Sequence, residues 1–264
     1  MLRYVVLLLM TTSLHITLAK SSKKGVGICS SAFKCGDTWK FDGVAWWYDW
    51  RFDQGERKWA KCKGAARPGY IPMIFDGASA NRATIPRDAK TVLGFNEPNW
   101  QNQANMTPRQ AARVWRIVER KAGNRRLVSP AVGGCDVVPK RCFDWLGAFF
   151  RACRGCRVDF VAFHGYSCNA NTIMSAIQQV HQRFNRKIWL TEFGCRHMPN
   201  EGATINFMKI ILPKLERSPY VGGYAWFCHR QDANHGRTLP HTSLMYSNRP
   251  ALNRVGRFYN NFAK

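Results

Sequence analysis

Thr91-Val-Leu-Gly-Phe-Asn-Glu-Pro-Asn99 is a short apolar run closed by a carboxylate. Ile188-Trp-Leu-Thr-Glu-Phe-Gly194 repeats the pattern. Near-continuous apolar runs of this length suit parallel strands covered on both faces. Working outward, eight such runs follow one another: Gly25–Cys29, Val44–Tyr48, Tyr70–Phe75, Thr91–Asn96, Leu127–Val132, Phe160–Tyr166, Ile188–Phe193 and Tyr224–Phe227. Helix signals fill the connections. Thr107-Pro-Arg-Gln110 is a capping box with proline at the first helical position. Behind it Ala111, Val114, Trp115 and Val118 share one face, and Gly123 can end the helix. Ile173, Ile177, Val180 and Phe184 form a second stripe, and Val255, Phe258, Tyr259 and Phe262 a last one.

Eight strands alternating with helices predict an α/β fold, a single-domain (β/α)8 TIM barrel. A doubly wound open sheet is the second choice, weakened because no glycine-rich phosphate loop follows the first strand. Residues 1–19 read as a secretory signal: Arg3 is the positive start, Val5 to Met10 the apolar centre, and Thr17-Leu-Ala19 the cleavage site. That run is too short to span about 30 Å of hydrocarbon, so no membrane anchor is expected. Removal leaves 20–264, near the ~250 residues of a compact barrel.

Ten cysteines, all beyond the signal, fit an oxidising, extracellular setting and leave their pairing open. Cys153-Arg-Gly-Cys156 has no second CxxC, which favours a structural disulfide over a zinc or redox site. Asn105-Met-Thr107 is a glycosylation sequon with Pro108 directly after it. The charge is strongly unbalanced, with 40 Lys+Arg against 16 Asp+Glu and a formal net charge of +24. The basic residues are spread along the chain with no run of five, which argues against nucleic acid and for anionic surroundings such as a cell-wall surface.

In parallel barrels the site is built at the C-terminal ends of the strands. Glu97 closes the fourth predicted strand and Glu192 the seventh, so the two can face each other across the mouth. Glycoside hydrolysis needs such a pair: one carboxyl protonated to donate to the leaving oxygen, the other ionised to attack or to activate water. His229, His235 and His241 lie after the last strand near Asp232, match no zinc spacing and read as exposed loop histidines. No metal and no cofactor are expected.

Asn96-Glu-Pro98 and Thr191-Glu-Phe193 look like the acid/base and nucleophile strands of clan A glycoside hydrolases. With Trp46-Trp-Tyr-Asp-Trp50, Ile71-Pro-Met73, Leu93-Gly-Phe-Asn-Glu-Pro98, Ser129-Pro-Ala131, His164-Gly-Tyr166 and Tyr224-Ala-Trp-Phe227, the chain resembles glycoside hydrolase family 128. The resemblance implies endo-β-1,3-glucanase activity on β-glucan by a retaining mechanism; the signal adds secretion, and a monomer is expected. It casts Glu97 as acid/base, Glu192 as nucleophile and Asn96 as the partner of the sugar 2-hydroxyl. His164 and Tyr166 would line the cleft, Trp226 would be the sugar floor, and Trp47 and Tyr48 would serve neighbouring subsites. Trp100, directly after the acid/base, is a loop candidate for sugar stacking. Asp49 and Gly165 depart from the family pattern, and Gly165 is expected to leave room beside His164. The alternatives are a β-glucan-recognition protein with little turnover and, on charge alone, a cationic antimicrobial or nucleic-acid-binding protein.

Overall fold

The computed structural model describes residues 20–53, 62, 67–231 and 239–263. The predicted signal, Asp232 and His235 lie outside the described residues. Among the described residues seven strands form: β1 (Lys24–Gly27), β2 (Trp46–Tyr48), β3 (Thr91–Leu93), β4 (Arg126–Val132), β5 (Phe160–Gly165), β6 (Ile188–Phe193) and β7 (Val221–Trp226). They make one parallel sheet in the order β2-β1-β7-β6-β5-β4-β3. The helices are α1 (Gly77–Arg82), α2 (Pro108–Ala122), α3 (Pro139–Ala152), α4 (Ala170–Phe184), α5 (Glu201–Arg217) and α6 (Arg254–Asn261).

The predicted third strand, Tyr70–Phe75, does not form a ladder. It makes single parallel bridges, Trp47↔Tyr70 to edge strand β2 and Met73↔Leu93 to edge strand β3. Pro72 accepts at its carbonyl from Leu93 (2.9 Å) but lacks an N–H, so the segment is one donor short on that β3-facing side, while Ile71 and Met73 donate on the β2 side. Both edges of the curled sheet therefore lean on this one segment. Among the described residues the α/β expectation holds as seven parallel strands and a bridging segment, not as eight laddered strands.

Alternation divides the core into two layers. Trp46, Tyr48, Met73, Leu93, Val128, Ala162 and Trp189 fill the inside of the curl. Trp47, Val92, Phe163, Phe193 and Trp226 face the helices, where they meet Trp115, Ile177 and Tyr259. The helices start and stop as their sequences dictate. Thr107 and Gln110 complete the reciprocal capping box of α2, and Gly123 at φ 57° follows its last turn.

Five disulfides tie the loops: Cys29–Cys228, Cys35–Cys62, Cys135–Cys142, Cys153–Cys156 and Cys168–Cys195. Beside Cys29–Cys228, Asp37 is fully buried and takes both arms of the Arg230 guanidinium, at 2.6 and 3.0 Å. His229 sits 3.2 Å away from the same carboxylate and is also fully buried. The expectation of an exposed His229 is thus corrected: its Nδ1 accepts from the Cys29 N–H, so Nε2 carries the proton toward Asp37. His241 is exposed, as expected.

The N-terminal rim of the sheet is stitched by cations. Lys23, before β1, donates to the carbonyls of Glu216 and Ser218 before β7. Arg125 reaches Pro86 and Ala89 before β3, Arg157 reaches Gly123 and Arg125 before β4, and Arg186 reaches Val158 before β5. Lys24 is wholly buried and donates to Tyr259 (3.0 Å), Asn260 (3.1 Å) and Phe262, at the C-terminal carbonyls of α6. Replacing Lys24 by methionine orphans these carbonyls. Urea unfolding is expected to show a loss of about 3 kcal/mol, with the midpoint shifted and the slope unchanged.

Candidate active site

At the C-terminal ends of the strands a cleft of about 780 Å³ opens. Among its walls are Trp50, Asn96, Glu97, Trp100, Tyr166, Glu192 and Arg196. Glu97 and Glu192 meet over one buried imidazole. His164 Nδ1 lies 2.9 Å from Glu97 Oε1 and 3.3 Å from Glu192 Oε2. One donor or acceptor atom from each of the three groups lies within 4.8 Å of the others.

A register shift makes this meeting possible. β5 and β6 pair Phe163 with Leu190 and then His164 with Glu192, so Thr191 is an extra residue on β6. Trp189 faces inward, and simple alternation would send Thr191 inward and Glu192 out toward the helices. The bulge reverses the parity and aims Glu192 at the mouth. Two further backbone departures lie here. Glu97 has φ 38° and Trp50 φ 63°, both in the left-handed region that costs a non-glycine residue energy.

Glu192 is held at both oxygens. Trp50 Nε1 donates to Oε1 at 2.8 Å and the Tyr166 hydroxyl donates to Oε2. Burial pushes the Glu192 carboxyl above the ordinary 4.5 and the Glu97 charge adds to this, while His164, Tyr166 and Trp50 pull the other way. For His164 burial favours the neutral ring, but the facing carboxylates of Glu192 and Glu97 outweigh it and hold its pKa above the ordinary 6.5. Burial and the Glu192 carboxylate keep the Tyr166 hydroxyl protonated. The same three groups could share a divalent cation, which would have to displace the imidazole proton from between the carboxylates.

Asn96 is 3% exposed and gives its Nδ2 to Gln103 Oε1 at 3.1 Å, while its Oδ1 has no protein partner. That oxygen is available to accept from a hydroxyl in the cleft. Glycine is required at 133. A Cβ there would stand 2.3 Å from Trp100 Nε1 and 2.7 Å from Glu97 Oε1. Trp100, 40% exposed, thereby lies against the Gly133 backbone and walls the cleft.

Several expected residues stand elsewhere. Trp47 faces the helix layer, its ring on Tyr70 and its Nε1 on the Arg67 carbonyl, so it serves no subsite. Trp226 also faces that layer, packed on Phe193 with its Nε1 on the Thr242 carbonyl, so it is no sugar floor. Both follow from alternation on their strands. Tyr48 points inward but is wholly buried beneath the cleft, its hydroxyl on the Thr191 carbonyl and its ring under Trp50. Gly165 opens no room beside His164: a Cβ there would point away, toward Leu190, Asp136 and Ile173. Asp49 lines the cleft and accepts from the Tyr70 hydroxyl at 3.0 Å.

Two contributors were not singled out from sequence for these tasks. Trp50, just past β2, takes the place beside Glu192. Asp136 accepts the backbone N–H groups of Tyr166 (2.7 Å) and Ser167 (2.6 Å) and so fixes the loop that presents Tyr166. The Cys168–Cys195 disulfide joins that loop to the one after β6. The Asp following Cys135 in a disulfide-closed loop was the available signal for Asp136.

Residues 27–259 match the family model described as glycosyl hydrolase catalytic core. The chain is 24% identical over 252 residues to alkali-sensitive linkage protein 1 of Schizosaccharomyces pombe, covering 90% of this chain and 44% of that protein. It therefore spans less than half the length of that relative. An endo-beta-1,3-glucanase of GH128 subgroup II from Sorangium cellulosum matches with TM-score 0.74 and 32% identity, over 90% of this chain and 98% of that one. A subgroup I endo-beta-1,3-glucanase from Amycolatopsis mediterranei, in complex with laminaritriose, matches with TM-score 0.74 and 27% identity, over 92% and 100%. With the paired carboxylates at the mouth of a parallel sheet, these matches establish that the chain belongs to the glycosyl hydrolase catalytic core family and is a glycoside hydrolase of family 128.

Proposed function

We propose that this protein is a secreted, retaining endo-β-1,3-glucanase that works as a monomer, with residues 20–264 as its catalytic domain on a (β/α)8 plan. The carrying observation is the spacing of the carboxylates, with oxygens of Glu97 and Glu192 within 4.8 Å of each other. Retaining enzymes hold their pair about 5–5.5 Å apart, whereas inverting ones leave about 6.5–9.5 Å for a water. The substrate class rests on the similar glucanases, one of them in complex with laminaritriose. The five disulfides support secretion.

Glu97 is the acid/base. It is the more accessible carboxyl and lies beside Asn96, whose free oxygen suits the sugar 2-hydroxyl. Its proton passes to the glycosidic oxygen as the bond to the anomeric carbon breaks. Glu192, steadied as an anion by Tyr166, Trp50 and His164, attacks that carbon and forms a glycosyl ester. Glu97, now ionised, takes a proton from water, which displaces Glu192 and restores the original configuration. His164 offsets the like charges as the proton leaves Glu97. Trp100 and Trp50 offer faces for the apolar sides of the sugar rings.

Laminarin hydrolysis should release mixed oligosaccharides early, with the β-anomer first by NMR. Glu97→Gln and Glu192→Gln are each expected to lower kcat about 10²–10⁴-fold. Activity persisting in both variants sinks the residue assignment, a single short product sinks the endo mode, and first appearance of the α-anomer sinks retention. Binding without hydrolysis by the unmodified protein would favour glucan recognition.

The pH profile follows from the two shifts. Glu192 must be ionised, and its pKa is raised, so activity falls on the acid side at a pH above 4.5. His164 holds its positive charge up to a pH above 6.5. In His164→Gln the carboxyls lose that charge and hold their protons more tightly, so the acid limb is expected to move to higher pH. An unmoved limb in kcat/KM against pH would contradict this. Chelation by EDTA is expected to leave hydrolysis unchanged, because the imidazole proton fills the space between the carboxylates.

A further inference from the structure

The rim opposite the cleft carries cations of two kinds. One kind is spent on the fold: Lys23, Arg125, Arg157 and Arg186 donate to backbone carbonyls of neighbouring loops. The other kind is exposed: Lys90 before β3, Lys121 and Arg126 at β4, Arg154 before β5, Lys187 before β6 and Arg217 before β7. None of these six is in an ion pair among the described residues. β3 to β7 are consecutive neighbours in the sheet, so the six stand on one continuous arc. Adjacent strands are about 4.8 Å apart, so cations on neighbouring strands can fall within the ~8 Å screening length of one another at physiological salt. Their crowding is already felt: Lys187 depresses the Lys23 ammonium pKa, behind burial as the main cause. Three acids at this end are engaged internally, while Asp88, two residues before Lys90, is exposed. Glu119 accepts from the Arg157 N–H, Asp159 from the Leu127 N–H, and Glu216 from Ser21 and the Tyr224 hydroxyl.

We propose that this arc is a docking surface for a carboxylate-bearing polysaccharide, separate from the cleft at the other end of the sheet. Charge complementarity selects a polyanion. The surroundings of the arc select among polyanions. Among the described residues the exposed large apolar side chains are Trp39, Trp100, Val137, Val138 and Ile210, and none falls in the loops before β3 to β7. Nucleic-acid bases want stacking platforms and membranes want apolar anchors; the aromatics of the arc, Phe160 and Tyr220, are half-buried, and each already has a partner, Arg126 over Phe160 and His181 on Tyr220. An extended sugar acid needs only spaced cations. Because the cleft faces away, a docked polymer would hold the enzyme against a wall without filling its site.

The test is affinity electrophoresis through gels containing polygalacturonate, neutral dextran or no polymer, with single-stranded DNA as a solution competitor. Lys90→Glu/Arg154→Glu/Lys187→Glu is compared with Arg109→Glu/Arg141→Glu/Lys209→Glu, a control of equal charge change away from the rim. Thermal unfolding confirms that both variants are folded, whatever the catalytic reading proves to be. The rim variant is expected to lose affinity for polygalacturonate about tenfold or more at about 50 mM NaCl, and the control about twofold or less. Equal losses in both variants, equal retardation by dextran, or tighter binding of the DNA would overturn the proposal.

Discussion

Two carboxyl groups within 4.8 Å of each other, screened from water, cannot both be ionised unless a positive charge sits against them; otherwise one keeps its proton. His164 is placed to supply that charge, its pKa held above the ordinary value by both carboxylates, and the mouth of the sheet is arranged around its position. The extra residue at Thr191 turns Glu192 inward to reach it. Glu97 accepts a positive φ so that its carboxylate arrives from β3 on the other side. Trp50 does the same to bring its indole N–H to Glu192. Asp136 fixes Tyr166 by two backbone bonds, and the Cys168–Cys195 bridge locks the loop beyond. Each device costs conformational energy or a buried polar contact. Together they hold two like charges at a distance the chemistry needs.

The position of the pair was legible from sequence because strand ends are. An apolar run that stops at Asn96-Glu97 or Thr191-Glu192 places the carboxylate at the mouth whatever the strand's fine geometry. Side-chain direction was less legible. Strict alternation from Trp46 sends Trp47 to the helices, and only the choice between those two neighbours was open. Alternation from Trp189 would have sent Glu192 the wrong way, since a bulge leaves no mark in composition. Trp226 looked like a floor because it ends a strand, yet its parity matches Tyr224 and Val26, which face the helices. The third strand was read correctly as apolar and parallel, but Pro72 in its middle was the sign that it could bridge and not pair.

Charge was the least legible feature. Forty basic residues invite a search for a ligand. Sequence cannot tell a guanidinium that closes a neighbouring loop from one that faces solvent, because Arg125 and Arg126 stand side by side in the chain and do these opposite things. The turn before β4 is where the difference is decided: Arg125 folds back onto Pro86 and Ala89, and Arg126, at the first position of the strand, extends outward over Phe160.

One geometric fact connects the two ends. Where a helix returns antiparallel to its parallel strand, its N-terminus lies at the mouth and its C-terminus at the rim. Helix N-termini favour negative charge and C-termini favour positive charge. The last turns of α2, α3, α4 and α5 carry Arg120, Lys121, Arg151, Arg183, Lys214 and Arg217, whereas Glu201 is the acid in a first turn. The helix ends thus suit carboxylates at the mouth and cations at the rim. The arginine that lines the cleft with the two glutamates, Arg196, lies over the Tyr166 ring. At the rim, backbone carbonyls take up Lys23, Arg125, Arg157 and Arg186. That segregation leaves His164, whose proton can come and go, as the cation seated between the pair.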